Sequence, residues 1–355
     1  VHAGIIEPGH FRFNCLGESI LNLEIRLGYL HRGVEKRLAE TPFHQGHFVA
    51  ESASSDTAVA NALCNSIAIE SLLDVEVSEK ANYLRTIALE IERVAMHIAD
   101  VGGMAVDLGY LTIAASLSRL RGLALRLGEY LAGSRFMRGY IIPGGVRRDV
   151  DRQNRDEMLN TLKHLVEQLK PIFETFTTNA AVYDRTTDVG KVSKHLAGDF
   201  GLVGVAARAS GLAYDVRNHF AHGLYPLHAP GTVTERNGDV RDRVLVRIKE
   251  TALSLELIEK LLKSLPAEQS LNALSCCLPD SLPADSAALG IVEAFRGELL
   301  HLIFTDEAGK IKRYHIKDPS ANNWTGLAIA ARNNLLSDFP ICNKSFSLSY
   351  SGHDL

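Results

Sequence analysis

The chain reads as an α+β protein, mainly α: a central bundle of long helices flanked by small antiparallel β-sheets. Three observations predict this. Apolar residues recur at spacings of three and four through the middle of the chain, as in Leu84, Ile87, Ile91, Val94 and Ile98, which makes one buried stripe on a helix. Apolar and polar residues alternate near both ends, the pattern of half-buried strands. The links between the helical stretches are short, and short links favour antiparallel neighbours in a bundle.

The elements follow in order. Phe11–Leu16 and Ile20–Leu27 alternate as two strands with Gly17-Glu18 at the turn between them. His31–Arg37 opens a short helix that Thr41-Pro42 ends, because the residue before a proline is pushed out of the helical region. Asp56 is expected to cap a helix running through Val59, Leu63, Ile67 and Ile69 to about Leu73. Ser78 followed by Glu79 starts the next helix, the one that carries the stripe from Leu84 to Ile98. Further helices are predicted over 112–132, over 152–181 with Leu159, Leu162, Leu165, Leu169, Ile172 and Phe173 on one side, and over 240–264 with Val244, Ile248, Leu255, Ile258 and Leu262. Gly290–Phe304 and Lys310–Ile316 read as the two strands of a hairpin around the polar loop 305–309. A short helix is expected after Trp324, and 338–355 reads as irregular. The organisation expected is an N-terminal β region over 1–40, a helical bundle over 41–285, and a C-terminal hairpin, short helix and tail over 286–355. We find no internal repeat or low-complexity tract.

Composition narrows the function. The chain has 355 residues, 46% apolar and 23% charged, with a net charge of −4. That balance gives no basic face for nucleic acid, and no apolar run approaches the ~20 residues that span a bilayer. The opening at Val1, without Met or a secretory signal, is expected to be internal to a longer chain. Cys15, Cys64, Cys276, Cys277 and Cys342 are odd in number and include no Cys-x-x-Cys pair. They are expected to be reduced cytoplasmic thiols, several buried as small apolar residues, and neither a disulfide framework nor a zinc site.

Three local constellations carry possible chemistry. Pro143-Gly144-Gly145 makes a turn or lets another backbone come close; no glycine-rich phosphate loop follows a strand, so nucleotide binding has no support. His219 and His222, near Asp215 and Arg217, could chelate from one helix, but no third ligand stands at a telling spacing, which leaves a solvated or interface pair. Glu7 lies between Ile5-Ile6 and Pro8-Gly9. It is either a buried carboxyl with a raised pKa, suited to proton transfer, or a turn carboxylate in water.

The motifs His2-Ala3-Gly4-Ile5-Ile6-Glu7-Pro8-Gly9-His10-Phe11-Arg12-Phe13, Gly28-Tyr29-Leu30-His31-Arg32-Gly33-Val34-Glu35-Lys36, Arg135-Phe136-Met137-Arg138-Gly139, Pro143-Gly144-Gly145-Val146 and Asp338-Phe339-Pro340 stand in this order along the chain. Through them and the tail, the chain resembles the large subunit of energy-converting, membrane-bound nickel-iron hydrogenases and, equally, the 49-kDa-type subunit of respiratory complex I. The resemblance covers essentially the whole chain and implies the nickel-iron hydrogenase large-subunit fold. In the nickel enzymes the segment at Glu51 would read Glu-Arg-x-Cys-x-x-Cys and the tail Cys-x-x-Cys, four thiolates holding the metal. The corresponding positions here are Ser54, Thr57, Ser349 and Gly352, and Ser52 stands where the arginine would be. The resemblance therefore implies a degenerate nickel site with no metal. Complex I turned the vacated cavity into a quinone headgroup site flanked by a His and a Tyr; those positions are Ile6 and Ser55 here, and neither reproduces the pair.

What the resemblance implies for function is a subunit of a membrane-associated oxidoreductase complex from a family with NADH- and quinone-linked chemistry. The chain itself would bind no cofactor. An iron–sulfur cluster would sit in a small partner subunit, membrane-arm subunits would lie beneath, and the whole would be peripheral on the cytoplasmic face of the cell membrane. Electrons would pass to a small organic or sulfur acceptor or a quinone, coupled to ion translocation. Glu7, His10, His31, Arg32, Glu35 and Asp56 are the proton-handling candidates, Glu7 by likeness to the carboxylate at the hydrogenase proton entry. Two other readings stand beside this one: a non-catalytic scaffold or coupling subunit, and a nickel hydrogenase with unusual ligands.

Overall fold

The computed structural model describes residues 7–267 and 274–355. His2–Ile6 of the opening motif, including Ile6 of the expected quinone-pair positions, lie outside the described residues. The first hairpin pairs β1 (His10–Leu16) with β2 (Ser19–Arg26). It is followed by α1 (Val34–Glu40), α2 (Gly46–Ala50), α3 (Ala58–Leu73), α4 (Glu79–Asp107) and α5 (Leu111–Ala132). A two-residue turn at Pro143-Gly144 joins β3 (Ile141–Ile142) to β4 (Gly145–Val146). The glycine pair serves both expected roles, because a Cβ on Gly145 would stand 1.9 Å from the Leu274 carbonyl oxygen.

The long helix α6 (Arg152–Thr178) ends three residues before the expected 181, since the Asn179 side chain caps a separate helix, α7 (Ala180–Thr186). Four short helices follow, α8 (Lys194–Asp199), α9 (Gly204–Ala209), α10 (Val216–His219) and α11 (Tyr225–His228), before α12 (Val240–Lys263).

The bundle is organised on α4, whose 29 residues run about 43 Å at the helical rise. Its N-terminus is set as the sequence predicts, Ser78 Oγ accepting from Ala81 N–H. The apolar stripe of Leu84, Ile87, Ile91, Val94 and Ile98 is fully buried. So is a second, polar stripe of Glu90, Arg93, His97 and Asp100, which amphipathic patterning alone assigns to solvent. It meets α12 through charge: Arg247 Nε donates to Asp100 at 2.9 Å, His97 Nε2 lies 3.0 Å from Glu250, and Ser254 Oγ donates to Glu90 at 2.5 Å. Arg208 and Arg217 from the short helices complete the network on Glu250 and Glu90.

Four expectations are corrected. Asp56 does not cap α3: Thr57 takes the cap position without a side-chain bond, and Glu92 of α4 accepts from Val59 N–H at 2.7 Å and Ala60 N–H at 3.2 Å instead. The Asp56 carboxylate is held by a full cation, a stronger partner than a neutral amide. Gly290–Phe304 is not one strand but the end of β5 (Ala287–Ala294) and most of β6 (Gly297–Thr305), folded back at Phe295-Arg296. Gly297, at φ +135°, supplies the backbone conformation that closes this turn. β7 (Ile311–Lys317) pairs with β6 to complete a three-stranded antiparallel sheet. Trp324 lies inside rather than before its helix, α13 (Pro319–Ala330), which starts on Asp318 as cap and Pro319 in the first turn. The terminal stretch is ordered as α14 (Phe339–Phe346) and α15 (Tyr350–Asp354), the latter capped by Ser349 Oγ accepting from Gly352 N–H at 2.9 Å.

Candidate site between the 51–57 loop and the C-terminal segment

Two segments some three hundred residues apart in sequence meet between the first turn of α3 and the cap of α15. Ser54 Oγ and Ser349 Oγ are 3.0 Å apart, Thr57 Oγ1 donates to Ser54 Oγ at 3.3 Å, and Ser351 Oγ lies 3.3 Å from Ser349 Oγ. All four hydroxyls are buried. Gly352 closes the ring of positions, and a Cβ there would stand 2.4 Å from Asp318 Oδ2. A buried carboxyl thus occupies the space beside Gly352.

Charge enters through Arg296, at the tip of the β5–β6 turn. Its guanidinium donates twice to Asp56, Nη1 to Oδ1 at 2.9 Å and Nη2 to Oδ2 at 2.8 Å. It also donates to Thr57 Oγ1 at 3.1 Å and to the Ser347 carbonyl. Burial opposes ionisation of Asp56, but Arg296 and the Ser54 hydroxyl outweigh it and hold the carboxyl below its ordinary pKa. Burial instead pushes the Asp318 carboxyl up, against the pull of Arg296.

Arg32 fastens loop to tail. It donates to Ser52 O at 2.6 Å, Ala53 O at 2.9 Å and Ser351 O at 3.5 Å, while its backbone N–H donates to Leu355 O at 2.7 Å. His31 Nδ1 donates to Asp354 O at 2.8 Å, and the Asp354 carboxylate accepts from Gly28 and Leu30 N–H. Glu7 accepts from Ser351 N–H at 3.2 Å, and partial burial raises its pKa. Of the candidates read from the sequence, the structure therefore brings Glu7, His31, Arg32 and Asp56 to one junction.

The others lie apart from these bonds. Glu35 accepts from Ile316 N–H at 2.9 Å and faces His315 on β7. His10 stands exposed at the start of β1. Ser55 is exposed, its carbonyl accepting from Arg138 at 3.2 Å. His219 and His222 do not share a helix: His219 ends α10 with Nδ1 bonded to Asp215 O, and His222 lies beyond it, edge-on to Tyr225. Among the described residues no three His, Cys, Asp or Glu side chains converge as a metal site. The five thiols are free.

Three residues of the site escape sequence reasoning. Glu51 is buried, accepts from Gly139 N–H at 2.6 Å, and is pushed by burial up to about 7 despite Arg138 and Arg147 nearby. Burial pushes Glu92, behind the loop, up to about 8 against the two α3 amides it accepts. Arg296 lies in the turn inside a stretch whose pattern reads as a single strand. A run of 15 residues from Gly290 to Phe304 exceeds the usual strand of about 5–6, and that length was the available signal. The interior space beside the loop, lined by Ser55, Asp56, Glu92 and Arg135, measures only about 10 Å³, room for about one water.

Fold and junction together define a class: a mainly helical protein whose buried polar centre is shared between an N-proximal loop and a C-terminal segment. Comparisons with known proteins place it further. Residues 107–282 match the family model described as respiratory-chain NADH dehydrogenase, 49 Kd subunit. The membrane-bound hydrogenase subunit alpha of Pyrococcus furiosus is 31% identical over 355 aligned residues, covering 96% of this chain and 82% of that one. Formate hydrogenlyase subunit 5 of Escherichia coli is 29% identical over all of this chain, which spans 62% of that relative's length. Among solved structures, a chain of the membrane-bound sulfane sulfur reductase, an archaeal respiratory membrane complex, superposes with a TM-score of 0.91 at 27% identity, covering 99% of this chain and 95% of that one. The chain belongs to the family that unites the large subunits of energy-converting hydrogenase-related complexes with the 49-kDa-type subunits of respiratory complex I.

Proposed function

We propose that this chain is the large subunit of a membrane-associated oxidoreductase complex that passes electrons to a small non-proton acceptor without a nickel-iron centre. The carrying observation is the Arg296–Asp56 ion pair with the hydroxyls of Ser54, Thr57 and Ser349, which stand, together with Gly352, at the four positions where the nickel enzymes of the family place thiolates. This donor set does not fit a soft metal. Serine and threonine hydroxyls are poor ligands for it, Gly352 has no side chain, and a guanidinium already bonds Thr57. Purified chain is expected to carry no stoichiometric nickel by elemental analysis; nickel near one per chain would refute the reading.

The acceptor meets the site from outside. The exposed side of the loop offers Ser55 with Arg138, and Arg32 lies on its flank. Electrons come from an iron–sulfur cluster in a small partner subunit, and membrane-arm partners hold the complex to the membrane. Among the described residues no helix is long and apolar enough to cross it. A sulfur compound is the acceptor class favoured by the likeness to the sulfane sulfur reductase chain, and a quinone is the second class to test. The reading is tested by reconstitution with an iron–sulfur partner and a panel of both acceptors. No turnover with any of them would favour a scaffold subunit.

Protons required by acceptor reduction are handled by Glu51 and Glu7, carboxyls held near or above their ordinary range beside the junction. Glu7→Gln is expected to slow turnover by about tenfold or more while leaving the melting temperature nearly unchanged, because Glu7 is only partly buried. An unchanged rate would remove Glu7 from the mechanism.

A further inference from the structure

A second polar system lies under the site loop, away from the ion pair. Thr57, the last residue of the loop, has its carbonyl oxygen bonded by Asn61 Nδ2 at 2.8 Å. Asn61 Oδ1 then lies 3.1 Å from His301 Nε2 on β6. His301 Nδ1 lies 2.8 Å from the Tyr314 hydroxyl on β7. That hydroxyl in turn accepts from Asn65 Nδ2 at 2.8 Å. Asn61 and Asn65 are one helical turn apart on α3, and His301 and Tyr314 are diagonal neighbours on the sheet face packed against it. All four side chains are buried.

The directions in this chain are forced. Asn61 spends its amino group on a carbonyl, so its Oδ1 must accept from His301, and His301 must carry its proton on Nε2. His301 Nδ1 is then a bare acceptor and must receive the Tyr314 hydroxyl proton, which leaves the Tyr314 oxygen free to accept from Asn65. Every donor points toward Thr57. Burial reinforces the neutral ring by pushing His301 down to about 3. Among the described residues the ring's hydrogen-bond partners from α3, β6 and β7 are Asn61 and Tyr314, both neutral. An amide does not pass a proton along in the way a water or imidazole does, so the chain orients rather than conducts.

We propose that Asn61, His301, Tyr314 and Asn65 form a positioning relay that locks the end of the site loop onto the β6–β7 sheet, with His301 held as the neutral Nε2–H tautomer. It acts beside Arg296, which grips Asp56 from the β5–β6 turn of the same sheet. The loop is thus fixed to one sheet at two points, one charged and one neutral. This inference rests on the reading of the 51–57 loop as the working site, yet the tests below do not depend on turnover.

In the full chain labelled with nitrogen-15 at histidine, His301 is expected to show the Nε2–H pattern and not to titrate between pH 8 and about pH 5. An Nδ1–H ring, or titration near the ordinary 6.5, would overturn the relay. His301→Leu removes both ring contacts and is expected to raise amide exchange at 54–61 by about tenfold or more, the scale of one lost buried hydrogen bond, with α12 amides unchanged. His301→Gln keeps one donor and one acceptor and is expected to restore most of that protection. Unaltered exchange in a folded His301→Leu chain, or a Gln variant no better protected than Leu, would reject positioning; the nitrogen-15 experiment on the unsubstituted chain decides the case if the Leu variant does not fold.

Discussion

Arg296→Leu is expected to destabilise the chain by about 3–5 kcal/mol, the cost of stranding one partner of a buried ion pair. Asp56 would stay buried with its two charge-assisted bonds gone, which favours uptake of a proton by its carboxyl. The Thr57 hydroxyl and the Ser347 carbonyl lose a donor in the same stroke. The measurement is a denaturant titration at neutral pH. A shift below about 1 kcal/mol would mean that the pair is not buried as described. Asp56→Leu in the same chain supplies the decisive control. If the loss in Arg296→Leu is the stranded charge, the double variant recovers much of it, because an apolar pair of similar size avoids the desolvation cost. Strictly additive losses would instead assign the effect to packing around Phe295, on whose ring the guanidinium rests at 4.3 Å. Sign follows as well. Asp56 is held below its ordinary pKa, so its contribution is present above the unfolded carboxylate pKa and is lost as pH falls through the folded value. The destabilisation caused by Arg296→Leu is therefore largest near neutrality and shrinks in acid.

The bundle was legible because its signal is local. The stripe Leu84–Ile98 and the Ser78 cap depend on spacings within one helix, and both stand as read. What the sequence conceals is set by partners far along the chain. The polar stripe of α4 looks like a solvated face until α12 and Arg217 arrive to neutralise it. Asp56 looks like a cap because caps are local, whereas its true partner lies 240 residues on. Glu92, inside a helix and one turn from apolar residues, gives no sign that it caps the start of another helix. The terminal stretch read as irregular for a related reason. Its two helices, of eight and five residues, are too short for a period to declare itself and are held by tertiary contacts. The site loop and tail were identified by family likeness, and their meeting through Ser54 and Ser349 could not come from spacing at all.

Glu51→Gln is expected to lower turnover of the reconstituted complex by about a hundredfold or more, the lower bound for loss of a positioned acid–base group. The substitution conserves shape: a glutamine oxygen still accepts from Gly139 N–H, so the loop keeps its anchor at 2.6 Å. What disappears is a carboxyl that burial has placed at about 7, where a group exchanges protons in both directions at working pH. The ionisation near pH 7 should vanish from the profile of kcat/KM in the variant. A stability measurement separates this from a damaged loop. The folded-state pKa of Glu51 is raised above its unfolded value of 4.5, so the neutral form is the one the fold prefers, and stability declines as pH rises from about 4.5 through 7. The Gln variant should lack that decline and be no less stable than the parent at pH 8. If the decline persists, Glu51 does not titrate in this range. If the decline vanishes while turnover is untouched, the carboxyl titrates but the reaction takes its protons elsewhere, and Glu7, already bonded to Ser351 N–H on the tail side of the junction, becomes the principal route. The two carboxyls approach the junction from opposite segments, one in the loop and one ahead of β1. Burial raises the pKa of both, Glu51 to about 7, which is the property the two substitutions test.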